Sequence, residues 1–290
     1  MAIVDFSGAT LSFNAFDPNN INHNAQVSTS SGHYSWKTTS NFTITALSPF
    51  NNITANGGGP TGGSISTVNV VGLGFNPIFS ITGLSAPLTS LVVPGNAVAS
   101  HEHFWETVLA GATTFVMPQL AGVAASIFGG DFVTVNSGQI LNGANDLFAG
   151  IGSPTQHIAV GDASVVAANA RLNGGDDQFI NLSGYMIGDV GSGGVPGNLG
   201  IVKGGNDSFI GNGNPLAPTL AIEVAVGDVM QNNFGVSGGA DNFKFTNLRA
   251  ESNRSSGTPF SNDGAALSQR ADHDDHRKAP KVAECFGVAR

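Results

Sequence analysis

Gly143-Ala144-Asn145-Asp146, with Phe148 two residues after the aspartate, is the first copy of a phrase that recurs along this chain. The later copies are Gly174-Gly175-Asp176-Asp177 with Phe179, Gly204-Gly205-Asn206-Asp207 with Phe209, and Gly238-Gly239-Ala240-Asp241 with Phe243. The four aspartates lie 31, 30 and 34 residues apart. A fixed period of this length indicates a repeat architecture, in which each unit contacts its neighbours along the chain.

A second phrase, Gly-Asp, lies between successive copies of the first, and its aspartates are Asp131, Asp162, Asp189 and Asp228. A worn copy precedes the others at Ala110–Phe115. When it is aligned on its phenylalanine, Thr113 stands where the aspartate would be, 33 residues before Asp146. Each unit reads as a Gly-rich turn, an acid, a short strand, a variable loop, a second strand and a Gly-Asp turn. We therefore predict a parallel β-solenoid, or β-roll-like repeat region, over residues 107–248.

The rest of the chain divides into an N-terminal β domain, residues 1–106, and a polar tail, residues 249–290, that we predict to be disordered. Apolar and polar residues alternate in Thr39–Leu47 and Ser64–Val71, and Phe79–Leu84 gives a third predicted strand. Gly57–Gly63 reads as a turn or loop. The predicted helices are Ala97–Leu109 and a weaker candidate, Pro118–Ile127, that lacks a cap. The predicted class is all-β.

Charge is sparse and uneven: charged residues make up 11% of the chain, against about 25% in an average protein. Residues 1–248 carry four basic and 14 acidic side chains, a net charge of −10. So few Lys and Arg residues argue against nucleic acid as a partner and against anionic membranes. No apolar stretch approaches 20 residues, which predicts no membrane span. An acidic body suits cations.

The repeat acids predict a cation site. Neighbouring strands lie about 4.8 Å apart, so equivalent aspartates would form a ladder of like charges, which is destabilising unless a cation lies between them. Ca²⁺ takes six to eight oxygen ligands from carboxylates and backbone carbonyls. We expect the acid to point outward, the phenylalanine inward, and the glycines to adopt positive φ. The predicted calcium-binding residues are Asp146, Asp177, Asp207, Asp241, Gly143, Gly174, Gly204, Gly238, Asp162, Asp189 and Asp228.

A simpler role for these aspartates is equally open: an Asp can cap N–H groups of its own turn without any metal. The spacing from each Gly-Asp acid to the next repeat acid varies, which favours a plain turn role for that second set.

The phrases resemble degenerate forms of the haemolysin-type (RTX) calcium-binding repeat, whose nonapeptide is Gly-Gly-x-Gly-x-Asp-x-aliphatic-x. The resemblance covers about half of the chain. It implies a parallel β-roll that folds on binding Ca²⁺ outside the cell. It also implies type I export directed by an uncleaved C-terminal signal, and hence a secreted or cell-surface protein.

Catalytic motifs are few. His101-Glu102-His103 could bind a metal if it lay on a strand, but on a helix the two histidines would diverge, and His157 is expected to face solvent. No nucleophile elbow, P-loop or dinucleotide fingerprint is present. Three hypotheses follow: a calcium-binding structural or interaction protein, a secreted enzyme with its catalytic module in the N-terminal domain, or a calcium-independent solenoid adhesin. Of these we favour the first, and catalysis is not predicted.

Overall fold

Strands form nearly all of the regular structure, which confirms the all-β class. The computed structural model describes residues 1–57, 59–94, 96–120, 122–128, 132–150, 155–193, 200–212, 223–227, 235–237, 239–246 and 283–285. The predicted site residues Gly238 and Asp228, and the Gly-Asp acid Asp131, lie outside these residues. So does the tail predicted to be disordered, residues 249–290, apart from Ala283–Cys285. The first strands are β1 (Ala2–Asp5), β2 (Phe13–Asn14), β3 (Ala25–Thr29), β4 (His33–Lys37), β5 (Thr43–Leu47), β6 (Thr54–Asn56), β7 (Gly59–Gly62), β8 (Ser64–Ile65), β9 (Thr67–Val71), β10 (Pro77–Thr82) and β11 (Ala86–Pro87).

The three predicted strands of the N-terminal region are confirmed as β5, as β8 with β9, and as β10. The predicted loop at Gly57–Gly63 is wrong in part, because its second half is β7, which pairs with β6. Short 3₁₀ helices span Pro18–Asn20, Leu73–Phe75 and Leu88–Ser90.

The helix α1 (Ala97–Val108) confirms the stronger helix prediction. The Asn96 side chain caps it by accepting a hydrogen bond from the Ala99 N–H at 3.1 Å, and α1 buries Phe104 and Trp105. The second candidate, Pro118–Ile127, is wrong: Gly122 has φ +83°, which no helix allows, and its end is a strand. No helix in the described ranges is both long enough and apolar enough to cross a membrane.

In the described ranges between α1 and residue 246 there are sixteen strands. They are β12 (Thr113–Val116), β13 (Ala125–Phe128), β14 (Phe132–Val135), β15 (Ile140–Asn142), β16 (Leu147–Ala149), β17 (His157–Val160), β18 (Ala163–Val166), β19 (Arg171–Asn173), β20 (Gln178–Ile180), β21 (Gly184–Ile187), β22 (Val190–Gly193), β23 (Ile201–Lys203), β24 (Ser208–Asn212), β25 (Glu223–Val226), β26 (Gly235–Ser237) and β27 (Asn242–Thr246). A last strand, β28 (Ala283–Cys285), pairs antiparallel with β25.

Strands of the repeat region pair with their equivalents one repeat later, always in parallel. Four ladders result: β12-β16-β20-β24-β27, β13-β17-β21-β25, β14-β18-β22 and β15-β19-β23-β26. Successive repeats contribute strands to these ladders in the same order. The register is constant in the first ladder, where Phe115, Phe148, Phe179, Phe209 and Phe243 are paired in turn.

The N-terminal strands continue the first ladder instead of forming a separate sheet. β1 pairs in parallel with β12 and antiparallel with β10, so the eleven-stranded sheet runs β27-β24-β20-β16-β12-β1-β10-β9-β5-β4-β3. One hydrophobic core extends from Phe6 and Trp36 to Phe209. The division at residue 106 stays a prediction, and hydrogen bonds join the two sides of it.

The repeat phenylalanine points inward, as predicted, at the four positions where the structure describes its side chain. Phe115, Phe148, Phe179 and Phe209 are fully buried, with successive ring centroids 4.7, 4.7 and 4.8 Å apart and ring planes within 6° of parallel. The separation equals the spacing of neighbouring strands. A second, smaller core is formed by strands of the third and fourth ladders and contains Val135, Leu172 and Val202.

Candidate functional site

The repeat aspartates are buried, so the prediction that they point outward is wrong. Asp146, Asp177, Asp207 and Asp241 have only 2, 0, 1 and 5% of their surface exposed. Each one stands immediately before its strand, where the chain enters the first ladder. Their side chains therefore lie inside the turn, beside the backbone of the neighbouring repeats.

One carboxylate oxygen of each repeat aspartate accepts the backbone N–H of the equivalent residue one repeat earlier. The bonds run from Thr113 N–H to Asp146 Oδ1 (2.6 Å), Asp146 N–H to Asp177 Oδ1 (2.7 Å), Asp177 N–H to Asp207 Oδ1 (2.8 Å) and Asp207 N–H to Asp241 Oδ1 (3.0 Å). The aspartates thus cap the neighbouring repeat. This pattern also explains why no acid is needed at Thr113. Each acid accepts an N–H of the preceding repeat, and the strand that precedes β12 in the ladder is β1, which is not part of a repeat.

A second column of side-chain hydrogen bonds runs beside the first and was missed from sequence. Asn145 Oδ1 accepts the Asp176 N–H (2.9 Å), Asp176 Oδ1 accepts the Asn206 N–H (2.7 Å), and Asn206 Oδ1 accepts the Ala240 N–H (2.8 Å). In this column each side chain accepts an N–H of the following repeat, whereas in the aspartate column each side chain accepts an N–H of the preceding repeat. The signal for it was visible as the Asn or Asp that precedes the aspartate in three of the four phrases.

The Gly-Asp acids that the structure describes, Asp162 and Asp189, are fully buried. Asp162 accepts the Gly175 N–H through Oδ2 at 3.0 Å, and Asp189 Oδ1 accepts the Gly205 N–H at 2.9 Å. These acids cap the Gly-rich turns, so the structure brings both predicted sets together.

The glycines are required by close approach, and the expectation of positive φ is wrong for Gly143, Gly174 and Gly204. A Cβ added at Gly143 would overlap the carboxylate of Asp162, and one at Gly174 would overlap that of Asp189. Only a residue without a side chain lets a carboxylate lie against its Cα.

Carboxylate and carbonyl oxygens converge at the Gly-Asp turns. The position that a Cβ would take at Gly188 is occupied by Asp207 Oδ2 and the Gly227 carbonyl oxygen. The same arrangement occurs one repeat earlier, with Asp177 and Gly188 around Gly161. Asp207 Oδ2 is buried and makes no hydrogen bond to the part of the chain that the structure describes. This pair of oxygens is a candidate position for a cation.

Two of the buried aspartates, Asp162 and Asp207, lie close to other acids. Burial, and next the charge of Asp177, raise the pKa of Asp162 well above its ordinary value. Burial, followed by the charges of Asp189, Asp177 and Asp241, raises the pKa of Asp207 in the same way. The Asp189 side chain acts on the pKa of Asp162 in the opposite direction. The charges that raise the pKa of Asp162 and of Asp207 belong to other acids.

Hard-cation chemistry fits the oxygens that converge, since Ca²⁺ accepts both carboxylate and carbonyl ligands. Over the described ranges, however, no three His, Cys, Asp or Glu side chains form a group that could hold a metal ion. Any bound cation would therefore depend on backbone carbonyls and water for most of its ligands.

The histidines do not form a second site. His101 and His103 lie on α1 and diverge: His101 is buried, with Nε2 2.6 Å from the Ala15 carbonyl oxygen, and His103 is exposed. The prediction that His157 faces solvent is wrong, because it is 3% exposed. Its strand β17 is the second one of its repeat, and its ring points into the core.

Comparisons with known proteins give no match: family models, curated proteins and solved structures were all searched. The site must be interpreted from its own geometry.

The capping role predicts a difference between two substitutions of Asp177. Asp177→Ala removes the acceptor of the Asp146 N–H inside the fold, and we expect a loss of about 1–3 kcal/mol in unfolding free energy. Asp177→Asn keeps an oxygen at Oδ1 and should retain most of that stability. Urea denaturation followed by circular dichroism measures both, and equal losses would contradict the capping role.

Proposed function

We propose that this chain is a calcium-binding repeat protein, secreted or attached to a cell surface, with a structural or interaction role rather than a catalytic one. The supporting observation is the close packing of two sets of buried aspartates, the repeat acids and the Gly-Asp acids, in which burial and then the charges of other acids raise the pKa of Asp162 and Asp207. Such charges are neutralised either by protons or by a cation. At neutral pH and at the Ca²⁺ concentrations found outside cells, a cation is the more available of the two.

We further infer that residues 107–248 wind as a parallel β-solenoid. Four parallel ladders, each advanced by one strand per repeat, support this inference, as does the constant register of the phenylalanines. Every repeat returns its acid to the same corner of the winding. The ladder of sites predicted from the sequence spacing would then run along that corner.

Within this proposal, Asp207 Oδ2 and the Gly227 carbonyl would hold one cation, and Asp177 with the Gly188 carbonyl would hold another. The cation would offset part of the negative charge of these carboxylates. The carboxylates keep their second oxygens for the backbone N–H groups of the preceding repeat. Export outside the cell is proposed from the resemblance of the repeats alone.

Calcium titration of the metal-free full chain tests the proposal. At Ca²⁺ concentrations about a hundredfold above Kd, binding to the folded state adds about 2.7 kcal/mol, which for this length means a rise in melting temperature of roughly 5 °C. Calorimetry with Ca²⁺ and with Mg²⁺ gives the affinity and the preference. A rise of only a degree or two at millimolar Ca²⁺ would contradict calcium binding.

Asp207→Asn separates the cation role from the capping role. Asparagine keeps the oxygen that accepts the Asp177 N–H, but it carries no charge, so the calcium-induced rise in melting temperature should shrink while the metal-free fold is kept. Asp176→Asn is the matched control, because Asp176 is an exposed acid in the neighbouring turn. If both variants respond to Ca²⁺ like the parent, the buried column does not bind it.

A calcium-independent scaffold or adhesin is the second candidate. One observation favours it: the Oδ1 ladder already satisfies the turn N–H groups with no metal. The same titration decides between the candidates, because a scaffold of this kind keeps its melting temperature when Ca²⁺ is added. The enzyme hypothesis gains no support from the surface pocket between Phe50 and Leu84, since neither an acid nor a histidine lines that pocket.

A further inference from the structure

The hairpin that joins β9 and β10 ends in an apolar tip, Leu73-Gly74-Phe75. The Leu73 and Phe75 side chains are 69 and 88% exposed. The tip is held rigidly: the Gly72 N–H donates to the Asn76 carbonyl at 2.8 Å, and the Asn76 side-chain amide donates to the Leu73 carbonyl at 2.7 Å. Two large apolar side chains are thus presented to solvent on an ordered support.

The backbone of the tip is strained at Phe75, whose φ of +61° lies in the left-handed region. A bulky aromatic residue rarely adopts this conformation, whereas glycine and asparagine do so readily. Backbone outliers that persist tend to mark binding or switching sites. Glycine or asparagine would be more stable at this position. The exposed, strained Phe75 is therefore a candidate contact residue for a binding partner.

A shallow pocket of about 290 Å³ lies at the opposite end of the same strands. Thr43 pairs with Val71 at the tip end, and Leu47 pairs with Thr67 at the far end. The pocket begins just beyond Leu47 and Thr67. Its apolar lining consists of Pro49, Phe50, Ile65, Leu84, Ala86 and Pro87.

Charge does not oppose contact between tip and pocket. Residues 38–100, which contain both, include no Asp, Glu, Lys or Arg. The net charge of −10 on residues 1–248 therefore resides elsewhere on the molecule. Apolar surface of this kind gains from burial, and here no ion needs to be desolvated.

We propose that the Leu73–Phe75 tip of one copy inserts into the Phe50–Leu84 pocket of a second copy. The tip and the pocket lie at opposite ends of one sheet, so the contact between two copies is heterologous. Each added copy therefore keeps either a free tip or a free pocket. Such contacts generate rings or open linear assemblies. The proposal is independent of calcium binding by the repeats.

Sedimentation velocity of the full chain over a range of concentrations, with and without Ca²⁺, tests the proposal. Phe75→Asn removes the knob and suits the left-handed backbone, so it should fold at least as stably as the parent. Ser85→Asp places a charge in the pocket wall at an exposed residue. Each variant alone should associate at least tenfold more weakly than the parent, and Ile140→Asn, an exposed apolar residue elsewhere, should associate like the parent.

Mixing gives the sharpest result. Phe75→Asn keeps an intact pocket and Ser85→Asp keeps an intact tip, so an equimolar mixture should form dimers and stop there. A parent chain that stays monomeric at every concentration overturns the proposal. So does a mixture that stays monomeric, or assembly that survives Ser85→Asp. Flotation of the monomeric parent with phosphatidylcholine vesicles, lost in Phe75→Asn, would instead assign the tip to a lipid surface.

Discussion

Phe179→Ala is expected to lower the unfolding free energy of the chain by about 3–5 kcal/mol, the usual cost of removing a buried phenylalanine side chain. Phe179 is fully buried in the middle of the aromatic column, 4.7 Å from Phe148 and 4.8 Å from Phe209. Its loss removes two ring contacts at once. The strands on either side fix the neighbouring rings, so the cavity cannot close fully.

Urea denaturation of full-length protein at low concentration measures this loss. Phe50→Ala is the matched control, because Phe50 is 72% exposed and its truncation should change the unfolding free energy by about 0.5 kcal/mol or less. A Phe179→Ala variant as stable as the control would show that the column does not carry the fold. An intermediate cost would indicate that neighbouring side chains relax into part of the cavity.

The inward column was predictable because it depends on local geometry alone. The aspartate and the phenylalanine are always two residues apart, and constant spacing over about 30 residues fixes the register of parallel strands. The junction of β1 with β12 was not predictable in this way. Those strands lie more than a hundred residues apart in sequence, and nothing in either segment specifies its partner.

The site was predicted in composition but not in orientation. Asp146 and Asp177 were predicted to be calcium ligands, and that role stays a prediction. Their buried orientation involves a backbone N–H contributed by a residue about 30 positions away. Strand alternation gave the wrong side, because each acid precedes its strand and follows turn geometry. The glycines were assigned the right importance for the wrong reason. Gly174 is needed because the Asp189 carboxylate lies against it, a contact between residues that only the fold brings together.

His157→Gln is expected to remove an acid-sensitive contribution to stability. Burial lowers the pKa of His157 from 6.5 to about 4, and its Nδ1 accepts the Ala125 N–H at 3.2 Å, so the folded state holds a neutral ring. Between pH 6.5 and about 4 the unfolded chain binds a proton that the folded chain does not. Stability is therefore complete above pH 6.5 and falls as the pH drops through this window, by roughly 3 kcal/mol in total.

The pH dependence of this variant relative to the parent isolates the histidine, because the buried acids act in the opposite direction. Acidification protonates Asp162 and Asp207, whose raised pKa values make the metal-free fold more stable at low pH. That effect is shared by the parent and by His157→Gln, so it cancels in their difference. Urea midpoints at pH 7 and pH 4.5 in the presence of a chelator should thus fall less for His157→Gln than for the parent. The control is His103→Gln, which replaces an exposed histidine and disturbs no buried hydrogen bond. Equal pH dependence in all three proteins would contradict this prediction, because it would mean that the His157 ring gains a proton inside the fold. The Ala125 N–H, which donates to Nδ1, opposes that protonation.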